Sequence, residues 1–150
     1  MLNDKINALI AESMKEGNHQ KTEVYRAIKN EFLKFKTAKA DNELTEKIEI
    51  QLMDKMMKQR RQSAEEFKAG NREDLAEKES WEATFIEQFL PKEATQEEIE
   101  TAVTKEIETI SADHAVSMKD MRTILGNVQK QYPTVSGGQV SKVLQAYMKK

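Results

Sequence analysis

Residues 45–91 read TEKIEIQLMDKMMKQRRQSAEEFKAGNREDLAEKESWEATFIEQFLP, and the fold class turns on this stretch. Ile48, Leu52, Met53, Met56, Met57 and Phe67 recur at helical rather than alternating spacing. Thr45 is placed to start a helix, and Gly70-Asn71 to stop it and cap the next. At 1.5 Å per residue the predicted helix, 45–69, is about 37 Å long. A second helix is predicted over 72–89, after a tight turn that makes the two antiparallel neighbours. Folding about that turn sets Met56 and Met57 opposite Phe85 and Ile86, and Met53 near Phe89. The same register puts Lys58 near Glu82 and Arg61 near Glu79.

On the N-terminal side, a helix over 3–16 carries Leu2, Ile6, Leu9, Ile10 and Met14 on one face. Gly17 ends it in a left-handed conformation and Asn18 caps the next, 19–39, whose stripe is Val24, Ile28, Phe32 and Phe35 with Tyr25 beside it. Residues 40–44 read as a polar connector. On the other side, Pro91 and a shift in composition suggest two subdomains, 1–91 and 92–150. Thr95 and Glu98 form a capping-box pattern before a helix over 96–110, with Ile99, Val103, Ile107 and Ile110 inward. Ser117 caps a helix over 118–131 with Met121, Leu125 and Val128 inward. Ser136 and Gln139 make a second capping box before a helix over 139–148, which buries Val140, Val143, Leu144 and Tyr147. Gly126, inside a helix, is expected to mark close helix–helix approach. Good helix formers dominate, with 5 glycines and 2 prolines, and no period-two run of β-formers occurs. The class is all-α.

The chain has no cysteine, which removes disulfides, thiolate nucleophiles and zinc–thiolate sites. Charged residues make up 33% of it, and no apolar run is long enough for a membrane span. With no signal-peptide pattern, a soluble, cytoplasmic monomer without membrane association is expected. Net charge is −2 but unevenly placed. Residues 1–70 carry 14 basic and 12 acidic side chains, residues 71–115 carry 4 and 13, and residues 116–150 carry 6 and 1. The last segment, with Lys119, Arg122, Lys130 and Lys142, is either a footprint for nucleic-acid phosphate or a solvated surface.

Patterns for catalysis are missing. His19 and His114 are isolated, and no H-x-x-x-H pair, G-x-S-x-G elbow, phosphate-binding loop or dinucleotide fingerprint occurs. Glu65-Glu66 and Glu97-Glu98 sit near helix ends or faces, with no sign of the cleft that acid–base work needs. No catalytic residue, metal or cofactor is expected. Gly137-Gly138 either lets backbone N–H groups approach a phosphate or supplies loop freedom. Lys58, Arg60, Arg61, Arg72 and Asp74 flank the hairpin turn, as interhelical ion pairs that set register or as contacts to a partner.

These hairpin residues also carry a resemblance. The run Met57-Lys58-Gln59-Arg60-Arg61-Gln62-Ser63, then Phe67, Arg72-x-Asp74-Leu75, Glu77, Glu79 and Phe89-Leu90-Pro91, resembles the YqeY-like family. So do Met118-Lys119-Asp120-Met121 with Val128, and Gly138-Gln139-Val140-Ser141 followed by Val143-Leu144. The ordered set spans essentially the whole chain. The family is similar in fold to the C-terminal helical region of the GatB subunit of glutamine-dependent tRNA amidotransferase, where the helical tail is a tRNA-recognition element. The resemblance implies an N-terminal helical bundle plus a C-terminal three-helix module. One departure is the loop 133–138, which lacks the charges of the family's Lys-Ala-Asp-Gly-like loop and leaves only backbone at Gly137 and Gly138.

Three readings follow. The first is a tRNA-binding or tRNA-associated accessory module, non-catalytic alone, with phosphate contacts from Lys119, Arg122, Lys130 and Lys142. The second is an adaptor docking on a larger enzyme through the helical hairpin. The third, implied by the resemblance alone, is an amidotransferase-related component, a carbon–nitrogen ligase with glutamine as amido donor, that acts only with a catalytic subunit.

Overall fold

The structure is a computed structural model that describes all 150 residues, Met1–Lys150. It has seven α-helices and no strand: α1 Leu2–Lys15, α2 His19–Ala38, α3 Glu46–Ala69, α4 Glu73–Glu87, α5 Gln96–Ser111, α6 Met121–Gln131 and α7 Gly137–Met148. A 3-10 turn, Met118–Asp120, leads into α6. The chain divides into two units, Met1–Pro91 and Lys92–Lys150, each with its own core.

In the first unit, α1 stops in a Schellman motif. Gly17 takes φ +70°, its N–H donates to Met14, and the Asn18 N–H donates back to Ser13. The Asn18 side chain then accepts from the Lys21 N–H and starts α2. The α3–α4 turn repeats the motif with a different residue in the left-handed position. Gly70 has φ −88°, and Asn71 takes φ 60°. The Asn71 N–H donates to Lys68 and the Arg72 N–H to Phe67, so Arg72, not Asn71, precedes α4. The core joins Ile6 of α1, Val24, Tyr25, Ile28 and Phe32 of α2, Met53 and Met56 of α3 and Ile86 of α4. Phe85 anchors an aromatic cluster, edge-on to Tyr25 at 5.3 Å and stacked on Trp81 at 5.2 Å.

Two local expectations change here, and one buried charge was not foreseen. Leu44, read as part of a polar connector, is buried in this core. Met14, expected on the inner face of α1, is exposed, and Ser13 beside it is buried. The hydroxyls of Ser13 and Thr22 lie 2.7 Å apart, so one donates to the other across the α1–α2 turn. Glu49 is fully buried, with 1% of its surface exposed. Its two carboxylate oxygens accept the backbone N–H groups of Leu2 at 3.0 Å and Asn3 at 2.9 Å. Those amides are orphan donors at the start of α1, and a carboxylate satisfies both while meeting the positive end of the helix dipole. No buried side-chain polar atom in the protein lacks a partner.

The second unit packs α5, α6 and α7 around Ile99, Val103, Ile107, Ile124, Val128, Val135, Val140 and Leu144. Thr95–Glu98, Ser117–Asp120 and Ser136–Gln139 are all reciprocal capping boxes. The Ser117 box closes the 3-10 turn rather than the α-helix. The Ser136 box starts α7 at Gly137, two residues earlier than expected. On α6 the fully buried row is Ile124 and Val128, while Met121 and Leu125 are only partly buried. Both rows are apolar, and the packing against α5 and α7 selects between them. Tyr147 is 38% exposed instead of buried, because Val140 and Leu144 already fill the inner face of α7.

Candidate nucleic-acid interface

The basic residues singled out from the sequence fall into two groups that differ in one respect, whether the fold already supplies them with a carboxylate. In the α3–α4 hairpin it does. Arg60 Nε donates to Glu82 Oε2 at 3.0 Å, with both side chains mostly buried. Arg61 pairs with Glu87. Lys58 turns back to Asp54 of its own helix at 2.9 Å, and Arg72 reaches Asp74 at 3.4 Å. The Arg72 hydrogen bond is the main reason the Asp74 carboxyl sits below the ordinary carboxylate range. The expected partners, Lys58 with Glu82 and Arg61 with Glu79, are therefore replaced. Position 60 faces α4 and takes Glu82, while Arg61 reaches two helical turns further along α4.

In the second unit the fold supplies none. Lys119, Arg122, Lys130 and Lys142 are exposed, and none has a carboxylate or other side-chain partner; the same holds for Lys149 and Lys150. The structure does not gather the four into one cluster. Arg122 and Lys130 lie on α6, eight residues apart and so on one side of the helix, with Lys119 just before them in the 3-10 turn. Lys142 lies on α7, in a shallow surface groove of about 520 Å³ that it lines with Lys150, Tyr147, Gln96, Glu100 and Thr104.

The glycines are placed differently from expectation. Gly137 and Gly138 are the first two residues of α7, and neither has a positive φ. A Cβ at Gly137 would point toward α6, 3.7 Å from Leu125 Cδ2, so its missing side chain faces the protein. A Cβ at Gly126 would meet nothing within 4 Å. Gly126 therefore marks no close helix–helix approach; it lies open on the outside of α6.

His114 is not isolated. Its Nε2 lies 3.1 Å from Asp120 Oδ1 and its Nδ1 3.3 Å from Asp113 Oδ2. The hydrogen bond to Asp120, followed by that to Asp113, raises its pKa above the ordinary 6.5. Asp120 is lowered, first by the Ser117 N–H it accepts and then by His114. Of this corner only the Ser117 cap is expected from the sequence; its Asp120 partner comes from the structure. No group of three or more histidine, aspartate or glutamate side chains is arranged to hold a metal ion. No helix is long and apolar enough to cross a membrane.

A family model described as Yqey-like protein matches residues 3–148, nearly the whole chain. No curated protein matches it.

Proposed function

The chain belongs to the YqeY-like family, and from that premise we propose that it is a tRNA-associated binding module that grips RNA phosphate through its second unit. The observation that carries this reading is a set of unpaired cations on a segment, residues 116–150, that holds 6 basic side chains and 1 acidic. Lys119, Arg122, Lys130 and Lys142 stand in water with no internal carboxylate, so binding a phosphate breaks no ion pair. Lys58, Arg60, Arg61 and Arg72 of the hairpin would each have to abandon a partner first. The outward carboxylates of α5, Glu97, Glu98 and Glu108, repel a polyanion and make the contact one-sided.

The test is fluorescence anisotropy of labelled bulk tRNA at two salt concentrations, with duplex DNA of matched length as control. Saturable binding tighter than the roughly 10⁻⁴–10⁻⁶ M of non-specific contacts, with preference for tRNA, is the expected result. Replacing Lys119, Arg122, Lys130 and Lys142 by Ala should lower the salt slope by about 0.9 per contact removed. An unchanged slope sinks the assignment. Equal weak binding to both nucleic acids turns attention to a protein partner of the α3–α4 hairpin.

A further inference from the structure

Gly126 stands inside α6, where a glycine weakens the helix relative to alanine. Neither packing nor backbone requires it. A Cβ there would meet nothing within 4 Å, and the residue has no left-handed φ. It lies two residues from each of Ile124 and Val128, the buried pair of α6, and so on the opposite side of the helix. Its neighbours on that side are Arg122 and Lys130, one turn away in either direction, and Thr123 and Gln129. Lys119 continues the line in the preceding 3-10 turn.

The neighbours decide what could rest on this spot. A helix of another protein docking on a glycine needs apolar side chains at the surrounding positions, and there are none. The nearby carboxylates are already engaged: Asp120 with the Ser117 N–H and His114, Glu106 with Asn127. The Asn127 amide leaves the charge of Glu106 in place at the flank, but the charged side chains of the Gly126 face itself, Lys119, Arg122 and Lys130, are all positive, and a polyanion is their complement. Arg122 and Lys130 are separated by about 12 Å along the axis, a span two long side chains can close from both ends over a group lying between them.

We propose that Gly126 is the floor of a phosphodiester seat, where the missing Cβ lets one RNA phosphate settle against α6 while Arg122 and Lys130 close over it. The seat rests on the RNA-binding reading above and gives it a centre. Gly126 is a positioning residue: it contributes no charge and acts by letting the two cations reach the same group.

Gly126→Ala and Gly126→Leu separate this from a structural role, because the two roles move stability and binding differently. Alanine should raise the thermal midpoint by about 5 °C through helix propensity alone. It should nevertheless weaken tRNA binding about tenfold, the scale of one lost hydrogen bond to a charged group. Leucine should weaken it further, and in both variants the salt slope should fall by roughly one unit for each cation that loses its contact. If the wild type binds tRNA and both variants bind it equally well, the seat is overturned and the RNA-binding reading stands. A lowered midpoint with weakened binding also overturns it, since the glycine would then be structural. A wild type that binds neither tRNA nor duplex DNA removes both.

Discussion

Glu49 is the one fully buried charged side chain of the first unit. Its carboxylate is enclosed in protein and accepts two backbone N–H groups from the start of α1, 46 and 47 residues away in sequence. Glu49→Ala leaves both amides and an empty polar site, and should destabilise the unit by about 2–4 kcal/mol. Glu49→Gln keeps one acceptor and should cost less, about 1–2 kcal/mol. Chemical denaturation checks both, and a Gln variant no better than Ala would contradict the role. In the second unit, the His114–Asp120 contact makes local stability depend on pH. The His114 pKa is raised, so its contribution is complete below 6.5 and is lost as pH rises through the folded value. The Asp120 pKa is lowered, so its contribution is present above the ordinary carboxylate range and is lost as pH falls through the folded value. The loop 113–120 should be best ordered between those limits. Proton NMR titration of the two imidazoles should show His114 titrating above 6.5, and His114→Ala should abolish the alkaline loosening of amides 117–120.

At the scale of elements, the stops of α1 and α3 and the starts of α2, α3, α5 and α7 are set by residues within four positions of the helix end, while the start of α1 is held by the distant Glu49. The two Schellman motifs of the first unit show one backbone requirement met by different residues, Gly17 at φ +70° and Asn71 at φ 60°. An L-residue with a Cβ is strained there, and asparagine less than most. Asn71→Gly should therefore stabilise the α3–α4 hairpin by up to about 1 kcal/mol, and Asn71→Ala should destabilise it by about as much. The midpoint of thermal unfolding distinguishes the two signs. In α5, the Thr95 hydroxyl accepts the Glu98 N–H, and the Glu98 carboxylate accepts the Thr95 N–H, each at 3.1 Å. Thr95→Ala should cost about 1 kcal/mol. That backbone N–H is the main cause of the low Glu98 pKa, so this cap weakens in acid, as pH falls through the folded value.

At the scale of the whole molecule, the contrast lies between cations the fold has used and cations it has left. Arg60→Gln strands the mostly buried Glu82 carboxylate and should cost about 1–2 kcal/mol, between exposed and buried pairs. It should leave tRNA affinity and salt slope unchanged. Charge removal on α6 should do the reverse, weakening binding with little effect on stability. Measuring midpoint and anisotropy on the same variants checks the division, and loss of RNA binding in the Arg60 variant would contradict it.

By itself the sequence determined the class and most of the helices. Apolar spacing, the Asn18, Thr45, Thr95, Ser117 and Ser136 caps and the Gly17 stop are local signals, read within a few residues. The ordered motifs also pointed to the family. Only the tertiary structure decided the rest. Glu49 looks like any polar residue in a first turn until α1 is brought against it. Leu44 looks like connector, and Ile124 cannot be ranked against Met121 from spacing alone. Whether a cation is spent or free was also beyond local reading, because Arg61 could meet Glu79 or Glu87 depending on side-chain reach across the hairpin. Gly126 shows the limit most plainly. Periodicity marks a glycine in a helix as a point of close packing, and only the arrangement of α5, α6 and α7 leaves it facing open space.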